Sequence, residues 1–288
     1  MDAMRLLVIG AAGMLGQDLL AAAERAGHEP VGWDLPEIDI TDSAATRAAI
    51  EELAPAAVVN CAAWTDVDGA EEQEELAARV NAEGAGNVAA AAASANALAI
   101  QISTDYSFDG TATEPYTESS PTSALGAYGR TKLAGELAVS EAATPDFAIV
   151  RTAWLFGPHG KNFVDTMLRL GGERDEVSVV DDQIGCPTYT GHLATALVDI
   201  AERRLTGVLH VAGGGRCSWY DLAIAAFERT GTDCAVKRVS TAEFGRPAPR
   251  PAFSVLRSER DETPRLPGWR EGLTGYLAQV RTGTGAAG

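Results

Sequence analysis

The chain has 288 residues, of which 46% are hydrophobic and 22% are charged, and its formal net charge at pH 7 is −17. This length allows one large domain or two modest ones with a sizeable buried core. The acidic balance makes a nucleic acid an unfavourable partner, because an acidic surface repels the phosphate backbone. No apolar run approaches the roughly 18 residues of a membrane span, and residues 6–10 lack the features of a signal peptide, so we expect a cytoplasmic protein.

Short apolar runs alternate with alanine-rich stretches through the first half of the chain. Strands without polar alternation, each followed by a helix, are typical of a parallel sheet covered on both faces. We therefore predict an α/β fold with a doubly wound, Rossmann-like parallel sheet. Thr41 or Asp42 would cap the second helix. The predicted strands cover residues 6–9, 31–34, 57–60, 98–103 and 148–150, and the predicted helices run to about residue 25 and over residues 43–53, 72–95 and 128–140.

The second half of the chain is less regular and is richer in glycine, proline and arginine. Residues 190–203 and 208–211 predict one more helix and strand for the same sheet, and the rest predicts a smaller C-terminal lid domain. The small, polar tail is typical of disorder. We expect a first domain over residues 1–155 and about 186–212, a lid domain over about 156–185 and 213–280, and a disordered tail over residues 281–288.

A glycine-rich turn joins the first predicted strand to the first helix. Gly10, Gly13 and Gly16 form a G-x-x-G-x-x-G pattern, with Met14 and Leu15 at the start of the helix. Glycines let the backbone approach a pyrophosphate closely, and the N-terminus of a helix offers free N–H groups to phosphates. A plain strand–helix turn is the alternative, but the position of the glycines favours a dinucleotide site. We therefore predict that the first domain binds NADPH or NADH.

Asp34 follows the second predicted strand, about 20 residues after the glycines. A carboxylate there accepts hydrogen bonds from the adenosine ribose and opposes a 2′-phosphate, which favours NADH. Arg25, Asp39 and the turn at Ile40 could reshape this pocket, so both cofactors stay open. The small residues at positions 61–63 suit either a backbone that lies against a cofactor or simple tight packing.

Tyr128 and Lys132 are four residues apart, and on a helix this spacing places both side chains on one face. A neighbouring ammonium group lowers the pKa of a phenol because it favours the phenolate, so the phenol can exchange a proton near neutral pH. Alone, the spacing is a weak motif. Thr104 strengthens it, because this residue ends the fourth predicted strand, where a doubly wound sheet places its ligands. Its hydroxyl either bonds the same substrate oxygen as Tyr128 or caps the strand.

The cysteines and histidines are scattered along the chain. None has the paired spacing of a zinc site or a disulfide framework. We therefore expect reduced thiols and no metal. The cysteines are Cys61, Cys186, Cys217 and Cys234.

Several stretches together carry a family resemblance that covers nearly the whole chain and fades after about residue 230. The chain resembles the extended short-chain dehydrogenases/reductases and, within them, the family of dTDP-4-dehydrorhamnose reductases. The combination of stretches is specific to this branch, whereas single pieces are shared more widely. They cover residues 10–16, 59–68, 80–81, 103–110, 128–136, 151–157, 162–163 and 181–188.

The resemblance implies a role for each candidate site residue. Thr104 and Asp105 would hold a sugar, and Trp154 would lie against it. Tyr128 would donate a proton, and Lys132 would bind the nicotinamide ribose and tune Tyr128. The cofactor would lie along Gly10, Gly13, Met14, Leu15 and Gly16 at its pyrophosphate, along Asp34, Asp39 and Ile40 at its adenosine, and along Ala62, Ala63 and Thr65 at its nicotinamide.

The resemblance implies reduction of the 4-keto group of a dTDP-6-deoxysugar by NADPH or NADH, with dTDP-4-dehydro-L-rhamnose as the expected substrate and dTDP-L-rhamnose as the product. Ser107 replaces a frequent valine of the family and Trp64 a frequent histidine, both near the expected sugar pocket. These departures leave a ketoreductase for another nucleotide-deoxysugar open.

The sequence leaves two alternatives to a reductase. It also leaves open whether the protein forms a homodimer. A dehydratase or epimerase of the same fold would usually have a glutamate at the position of Tyr106, and the chain is short for that group. A non-catalytic protein that resembles the regulatory subunit of methionine adenosyltransferase would not need the intact set of Thr104, Tyr128 and Lys132.

Overall fold

The computed structural model of the protein describes residues 3–143 and 145–283. The strands are β1 (Arg5–Ile9), β2 (Glu29–Trp33), β3 (Ala57–Asn60), β4 (Leu98–Thr104), β5 (Phe147–Thr152), β6 (Leu155–Phe156), β7 (Glu176–Val180), β8 (Ile184–Gly185), β9 (Thr188–Tyr189), β10 (Gly207–His210), β11 (Cys217–Ser218) and β12 (Ala235–Val239). The α-helices are α1 (Met14–Arg25), α2 (Ser43–Leu53), α3 (Val67–Glu72), α4 (Glu74–Ala78), α5 (Ala85–Ser94), α6 (Ala127–Ala143), α7 (Phe163–Glu173), α8 (Thr190–Arg203), α9 (Trp219–Thr230), α10 (Thr241–Phe244) and α11 (Trp269–Gly283).

The main sheet contains six parallel strands in the order β10-β5-β4-β3-β1-β2. From β1 the chain first adds β2 on one side and then adds β3, β4, β5 and β10 on the other side. The direction of winding therefore reverses between β1 and β3. In a doubly wound sheet, ligands bind outside the carboxyl ends of the strands at this reversal. The predicted α/β fold with a doubly wound parallel sheet is confirmed.

Both faces of the main sheet are buried, which explains why its strands show no polar alternation. Leu6 and Val8 of β1 pack with α1 and α8, whereas Leu7 and Ile9 pack with α2, α5 and α6 on the opposite face. All four side chains are at most 1% exposed. Burial of such a side chain stabilises the fold by about 1.5–3 kcal/mol, so the apolar run of β1 anchors both layers.

A smaller group of elements packs around a core of its own after β5. It includes the parallel pair β7–β12 and the helices α7, α9 and α11, with Val164, Leu222 and Tyr276 among its buried side chains. Between β7 and α9 the chain returns to the main sheet, where α8 covers one face and β10 pairs with β5. The predicted additional helix and strand are confirmed, and the division into two domains at the boundaries given above stays a prediction.

The single helix predicted over residues 72–95 is interrupted in the structure. A π-helical segment, Arg79–Gly84, lies between α4 and α5. The Asn81 side chain accepts a hydrogen bond from the backbone N–H of Trp64 at 2.8 Å and donates one to the Thr131 hydroxyl of α6 at 3.0 Å. A Cβ added to Gly135 of α6 would lie 2.0 Å from the Asn81 carbonyl oxygen, so α6 packs directly on the segment. The wider π turn lets Asn81 make these bonds beside the end of β3.

Two sequence predictions concern the ends of helices, namely the cap of α2 and the start of the C-terminal tail after α11. Asp42 caps α2, since its carboxylate accepts the N–H groups of Ala44 and Ala45. Helix α11 continues to Gly283, so residues 281–283 of the predicted disordered tail are helical, and residues 284–288 lie outside the described residues. None of the helices in the described part of the chain combines the length and hydropathy needed to span a bilayer.

Candidate active site

A cleft of about 900 Å³ opens where the winding of the main sheet reverses. Its walls come from the carboxyl ends of β1, β3 and β4, from α6 and from the smaller group of elements. Every residue that we predicted for the site lines this cleft, namely Gly10, Gly13, Met14, Leu15, Gly16, Asp34, Asp39, Ile40, Ala62, Ala63, Thr65, Thr104, Asp105, Tyr128, Lys132 and Trp154.

The glycine-rich turn forms a close-fitting cradle at one end of the cleft. A Cβ added to Gly16 would lie 2.3 Å from the Gly10 carbonyl oxygen, and one added to Gly10 would lie 2.6 Å from the backbone nitrogen of Ala62. Gly13 caps α1 without a side-chain hydrogen bond, and the first turn of α1 contains no acidic residue. The N–H groups of residues 10–13 are already hydrogen-bonded, so the N–H groups of Met14, Leu15 and Gly16, at the start of α1, are the ones available to an anion such as a dinucleotide pyrophosphate.

Two carboxylates line the adjoining end of the cleft, where we predicted the adenosine. Asp34 accepts the N–H groups of Ala12 and Leu35, each at 2.9 Å, so it braces the glycine-rich turn. Hydrogen bonds from Thr41 hold the pKa of Asp39 below its usual value, and the nearby Arg79 acts in the same direction. This end of the cleft therefore offers two negative charges to a ribose.

Thr104, Tyr128 and Lys132 meet at the centre of the cleft. Thr104 ends β4, and its side chain lies within hydrogen-bonding reach of the Tyr128 phenol on α6. The Lys132 ammonium group donates to the backbone carbonyl of Ile102 at 2.6 Å. Burial lowers the pKa of Lys132 to about 8, although the charge of Glu136 acts against that shift. The arrangement places two hydroxyl groups and one buried cation in the lining of the same cleft.

The acidity of Tyr128 differs from our expectation that Lys132 lowers its pKa. Burial raises the pKa of Tyr128 to about 12, the charge of Asp105 raises it further, and the Thr104 hydrogen bond opposes the rise. The expectation fails because the Lys132 ammonium group is directed to Ile102 instead of the phenol. Tyr128 is therefore a neutral phenol at physiological pH, which is the form that a proton donor needs.

Asp105 is a buried carboxyl group beside Tyr128. It is 2% exposed, and burial raises its pKa to about 7, while hydrogen bonds with Ser254 and Thr104 oppose the rise. Its Oδ2 atom has no hydrogen-bond partner among the described residues. An unpaired buried carboxyl oxygen is costly, so a bound ligand that supplies a hydroxyl group would stabilise this arrangement.

Two stacked indole rings close the cleft on the side of the smaller group of elements. The rings of Trp154 and Trp219 are 3.5 Å apart and inclined by 4°. Trp154 has a φ of +48°, and its ring lies against Gly185, where an added Cβ would be 2.4 Å away. A left-handed backbone in a tryptophan is strained, and such strain is concentrated at ligand sites. Both rings line the cleft and offer an apolar face to a sugar.

Two polar residues in the stretch 181–188, which carries part of the family resemblance, have partners inside the protein. Gln183 accepts a hydrogen bond from the Trp219 indole and donates one to Thr241. Thr188 accepts the N–H of Gly213 and donates to the Cys186 carbonyl. Both therefore satisfy internal groups.

The residues that line the cleft and that sequence reasoning did not predict include Trp219 and Lys161. Trp219 starts α9, far along the chain from the other walls of the cleft. Lys161 is an exposed cation on the loop after β6, and the adjacent Gly160 packs against Met14. Neither belongs to a local motif that sequence spacing could reveal.

Tyr106 occupies the position where a dehydratase would usually have a glutamate. Its ring packs edge-on against Tyr128 with centroids 5.7 Å apart, and its hydroxyl is hydrogen-bonded to Arg250, which pairs with Asp68. Burial raises the pKa of Tyr106 above its ordinary value. The position therefore supplies a neutral phenol instead of a second carboxylate acid or base.

The described part of the chain shows no cluster of side chains that would bind a metal ion. Residues 3–143 and 145–283 contain no group of three or more His, Cys, Asp or Glu side chains arranged to hold a metal ion. The cysteines Cys61, Cys186, Cys217 and Cys234 are free thiols.

A doubly wound sheet, a glycine-rich turn at its winding reversal, and a Thr–Tyr–Lys set on β4 and α6 define an extended short-chain dehydrogenase/reductase. The RmlD substrate binding domain family matches residues 4–282 of the chain. The chain belongs to this family, in agreement with the resemblance to dTDP-4-dehydrorhamnose reductases that the sequence predicted.

Two curated relatives and one solved structure illustrate the similarity. A dTDP-4-dehydrorhamnose reductase of Streptomyces griseus is 44% identical over 94% of this chain and 92% of its own length. A dTDP-4-keto-6-deoxy-D-glucose reductase of Streptomyces niveus is 43% identical over the same shares of the two chains. The crystal structure of dTDP-4-dehydrorhamnose reductase from Bacillus anthracis in complex with NADP is 38% identical, with a TM-score of 0.93 over 96% of this chain and 100% of that chain.

Proposed function

We propose that this protein reduces the 4-keto group of a dTDP-6-deoxysugar with NADPH or NADH, and that its reaction is the conversion of dTDP-4-dehydro-L-rhamnose to dTDP-L-rhamnose. The convergence of Thr104, Tyr128 and Lys132 beside the glycine-rich turn carries this proposal. Relatives named for such reductions cover more than nine tenths of the chain at 43–44% identity. A cytoplasmic location and a homodimer stay predictions.

The mechanism assigns a separate task to each of three side chains. Carbon 4 of the sugar would receive a hydride, the chemistry that a reduced nicotinamide held beside Ala62, Ala63 and Thr65 would supply. Tyr128 donates its phenolic proton to the oxygen that becomes the new hydroxyl group. Thr104 donates a second hydrogen bond to that oxygen. The Lys132 ammonium group, which donates to the Ile102 carbonyl in this structure, would turn towards Tyr128 as the phenolate forms and stabilise its charge.

The remaining cleft residues would bind and orient the two reactants. Asp105 would accept a sugar hydroxyl, and Trp154 would lie against the ring of the sugar. Lys132 and Tyr128 would bond the nicotinamide ribose. The pyrophosphate would lie on Gly10, Gly13, Met14, Leu15 and Gly16, the adenosine beside Asp34, Asp39 and Ile40, and the nicotinamide beside Ala62, Ala63 and Thr65.

The proposal is tested by following the absorbance of the reduced nicotinamide with purified protein and dTDP-4-dehydro-L-rhamnose generated in situ. We expect the absorbance to fall only when protein, sugar and cofactor are all present, with NADPH and NADH supplied in separate assays. Absence of turnover in a protein that binds either cofactor would contradict a reductase of this sugar and favour the regulatory subunit.

A second deoxysugar is a specific competitor for the same site. The relative from Streptomyces niveus is named for reduction of dTDP-4-keto-6-deoxy-D-glucose. Two residues depart from the usual residues of the family: Trp64 lines the cleft, and Ser107 is buried in the turn that follows Thr104. Assays with both sugars at equal concentration separate the candidates, because the higher kcat/KM identifies the sugar that the transition state fits better.

We expect kcat/KM for the reduction to fall as pH rises from about 7 to 9. Burial raises the pKa of Asp105 to about 7, so rising pH places a negative charge beside Tyr128 that disfavours its phenolate. Burial lowers the pKa of Lys132 to about 8, so further alkalisation removes the cation that stabilises the phenolate.

The variant Asp105→Asn cannot ionise, and its fall in kcat/KM should therefore begin near pH 8 instead of pH 7, in line with the value of about 8 for Lys132. The measurement is a profile of log kcat/KM against pH for both proteins. Identical profiles, or a fall on the acid side, would refute these assignments.

Asp34→Asn should shift the choice of cofactor towards NADPH. The amide keeps an oxygen that can accept the Ala12 N–H but removes the negative charge that faces a 2′-phosphate. We expect the ratio of kcat/KM with NADPH to kcat/KM with NADH to rise about tenfold, since the positive Arg79 stays nearby.

Glu37→Gln is the matched control for Asp34→Asn, because Glu37 is an exposed carboxylate in the same loop that does not line the cleft. In this variant, the ratio of kcat/KM with NADPH to kcat/KM with NADH should equal that of the unmodified protein. An equal rise in both variants would show that general surface charge, and not Asp34, sets the preference.

A further inference from the structure

A buried carboxylate on the active-site helix has no part in the mechanism above. Glu136 lies one turn after Lys132 and two turns after Tyr128, so all three side chains share one face of α6. It is only 5% exposed. Burial of a carboxylate is unfavourable unless its charge and its lone pairs are satisfied, so its contacts require an explanation.

Four hydrogen bonds satisfy the two oxygens of Glu136. Arg151 of β5 donates to both oxygens, from Nε at 2.9 Å and from a terminal nitrogen at 2.6 Å. The hydroxyl of Ser103 donates at 2.5 Å and that of Ser107 at 3.3 Å. The guanidinium group also lies 3.4 Å from the Nε2 atom of His210. The ion pair would stabilise the packing of α6 on β5 without either serine.

The two serines give the contact its significance for the reaction. Ser103 directly precedes Thr104 at the end of β4, and Ser107 ends the short 3-10 turn, Asp105–Ser107, that follows. Glu136 therefore ties α6, which carries Tyr128 and Lys132, to both ends of the segment that carries Thr104 and Asp105. Two donors reach one substrate oxygen only if these two elements keep a fixed separation.

We propose that Glu136 is a positioning residue, whose carboxylate holds the segment of residues 103–107 in register with α6 so that Thr104 and Tyr128 converge on the same keto oxygen. This proposal rests on the proposed function for its catalytic consequence. The charge of Glu136 has a second effect in the same direction, because it opposes the loss of the Lys132 proton that burial favours.

The kinetic test compares Ser103→Ala, Glu136→Gln and the double variant. Each single variant should lower kcat about 10- to 100-fold, because the donors are displaced while both remain present. The KM for the cofactor should stay within about twofold, since the glycine-rich turn is untouched. Both changes break the same link, so the double variant should be no slower than the slower single variant.

The matched control is Glu202→Gln. Glu202 is a partly buried carboxylate that lies 2.8 Å from His28, a residue between α1 and β2, away from the cleft. This variant also loses a charged, hydrogen-bonded partner, but its kcat per folded molecule should equal that of the unmodified protein. Ser103→Ala leaves the ion pair with Arg151 intact, so it provides the test even where Glu136→Gln does not fold.

Hydrogen exchange supplies a readout that needs no substrate. With cofactor bound, the amides of residues 103–107 should exchange about tenfold faster in Ser103→Ala and Glu136→Gln than in the unmodified protein or the Glu202→Gln control. Unchanged exchange would overturn the positioning role, whatever sugar the protein reduces. Losses of kcat that multiply in the double variant, or that appear equally in the control, would also overturn it, whereas an unmodified protein without turnover would count against the proposed function alone.

Discussion

Tyr128→Phe should lower kcat by about 10²- to 10⁴-fold, the usual contribution of a positioned proton donor. The substitution removes only the hydroxyl group and keeps the ring that packs edge-on against Tyr106. The affinity for the reduced cofactor should fall much less than kcat, since the variant loses one bond to the nicotinamide ribose while the glycine-rich turn and Lys132 remain in place. The measurements are kcat with the keto sugar and the Kd of the cofactor from fluorescence titration.

Tyr116→Phe serves as the control for this prediction. Tyr116 is also a buried tyrosine, but it donates its hydroxyl proton to Asp109 at 2.8 Å and does not line the cleft. Loss of the Tyr116 hydroxyl group should lower the stability of the fold more than it lowers turnover. Turnover that survives in Tyr128→Phe would remove the proton donor from the mechanism and, with it, the role of the Thr–Tyr–Lys set.

Gly10→Ala should weaken cofactor binding by about 100-fold or more and lower the melting temperature. Gly10 has a φ of +78°, and an added Cβ would lie 2.6 Å from the backbone nitrogen of Ala62. A left-handed backbone costs alanine about 1–2 kcal/mol, and overpacking adds about 1–3 kcal/mol. The atoms nearest to this Cβ all belong to the backbone of Cys61 and Ala62, so the turn itself must move away from the pyrophosphate.

Gly27→Ala separates the two causes of this effect. Gly27 has a φ of +83°, but nothing lies within 4 Å of its added Cβ. The control therefore carries the backbone strain without the clash, and it should lose some stability while keeping its affinity for the cofactor. Equal losses of affinity in the two variants would show that the cradle at the winding reversal does not depend on close packing against β3.

Features that depend on short-range patterns could be predicted from the sequence. The apolar runs predicted the parallel strands because a strand buried on both faces cannot alternate. The spacing of Gly10, Gly13 and Gly16 predicted the turn after β1, and the four-residue spacing of Tyr128 and Lys132 predicted that they share a face of α6. Thr104 followed from its place at a strand end.

Features that depend on contacts between distant segments could not be predicted. Asn81 in the π-helical segment bonds Trp64 and Thr131, and no periodicity in the sequence predicts these partners. The stacking of Trp219 on Trp154 and the bond from Ser103 to Glu136 likewise join separate elements.

The expectation that Lys132 lowers the pKa of Tyr128 fails for a similar reason, because it depends on where a side chain points in the folded protein. Spacing places the two residues on one face of a helix, but it does not say where a flexible ammonium group points. In the folded chain, the Lys132 ammonium group donates a hydrogen bond at 2.6 Å to the backbone carbonyl of Ile102, near the end of β4. The acidity of the phenol is therefore set mainly by burial and by Asp105, neither of which the helix spacing contains.

Isotope transfer gives the most direct test of the proposed reduction, with a reduced nicotinamide cofactor that carries deuterium at both positions of its reactive carbon and with dTDP-4-dehydro-L-rhamnose as the acceptor. We expect one deuterium at carbon 4 of dTDP-L-rhamnose, detected by mass and by NMR, and none in the product formed with unlabelled cofactor. Deuterium at another carbon, or a product without deuterium while the cofactor is consumed, would contradict it.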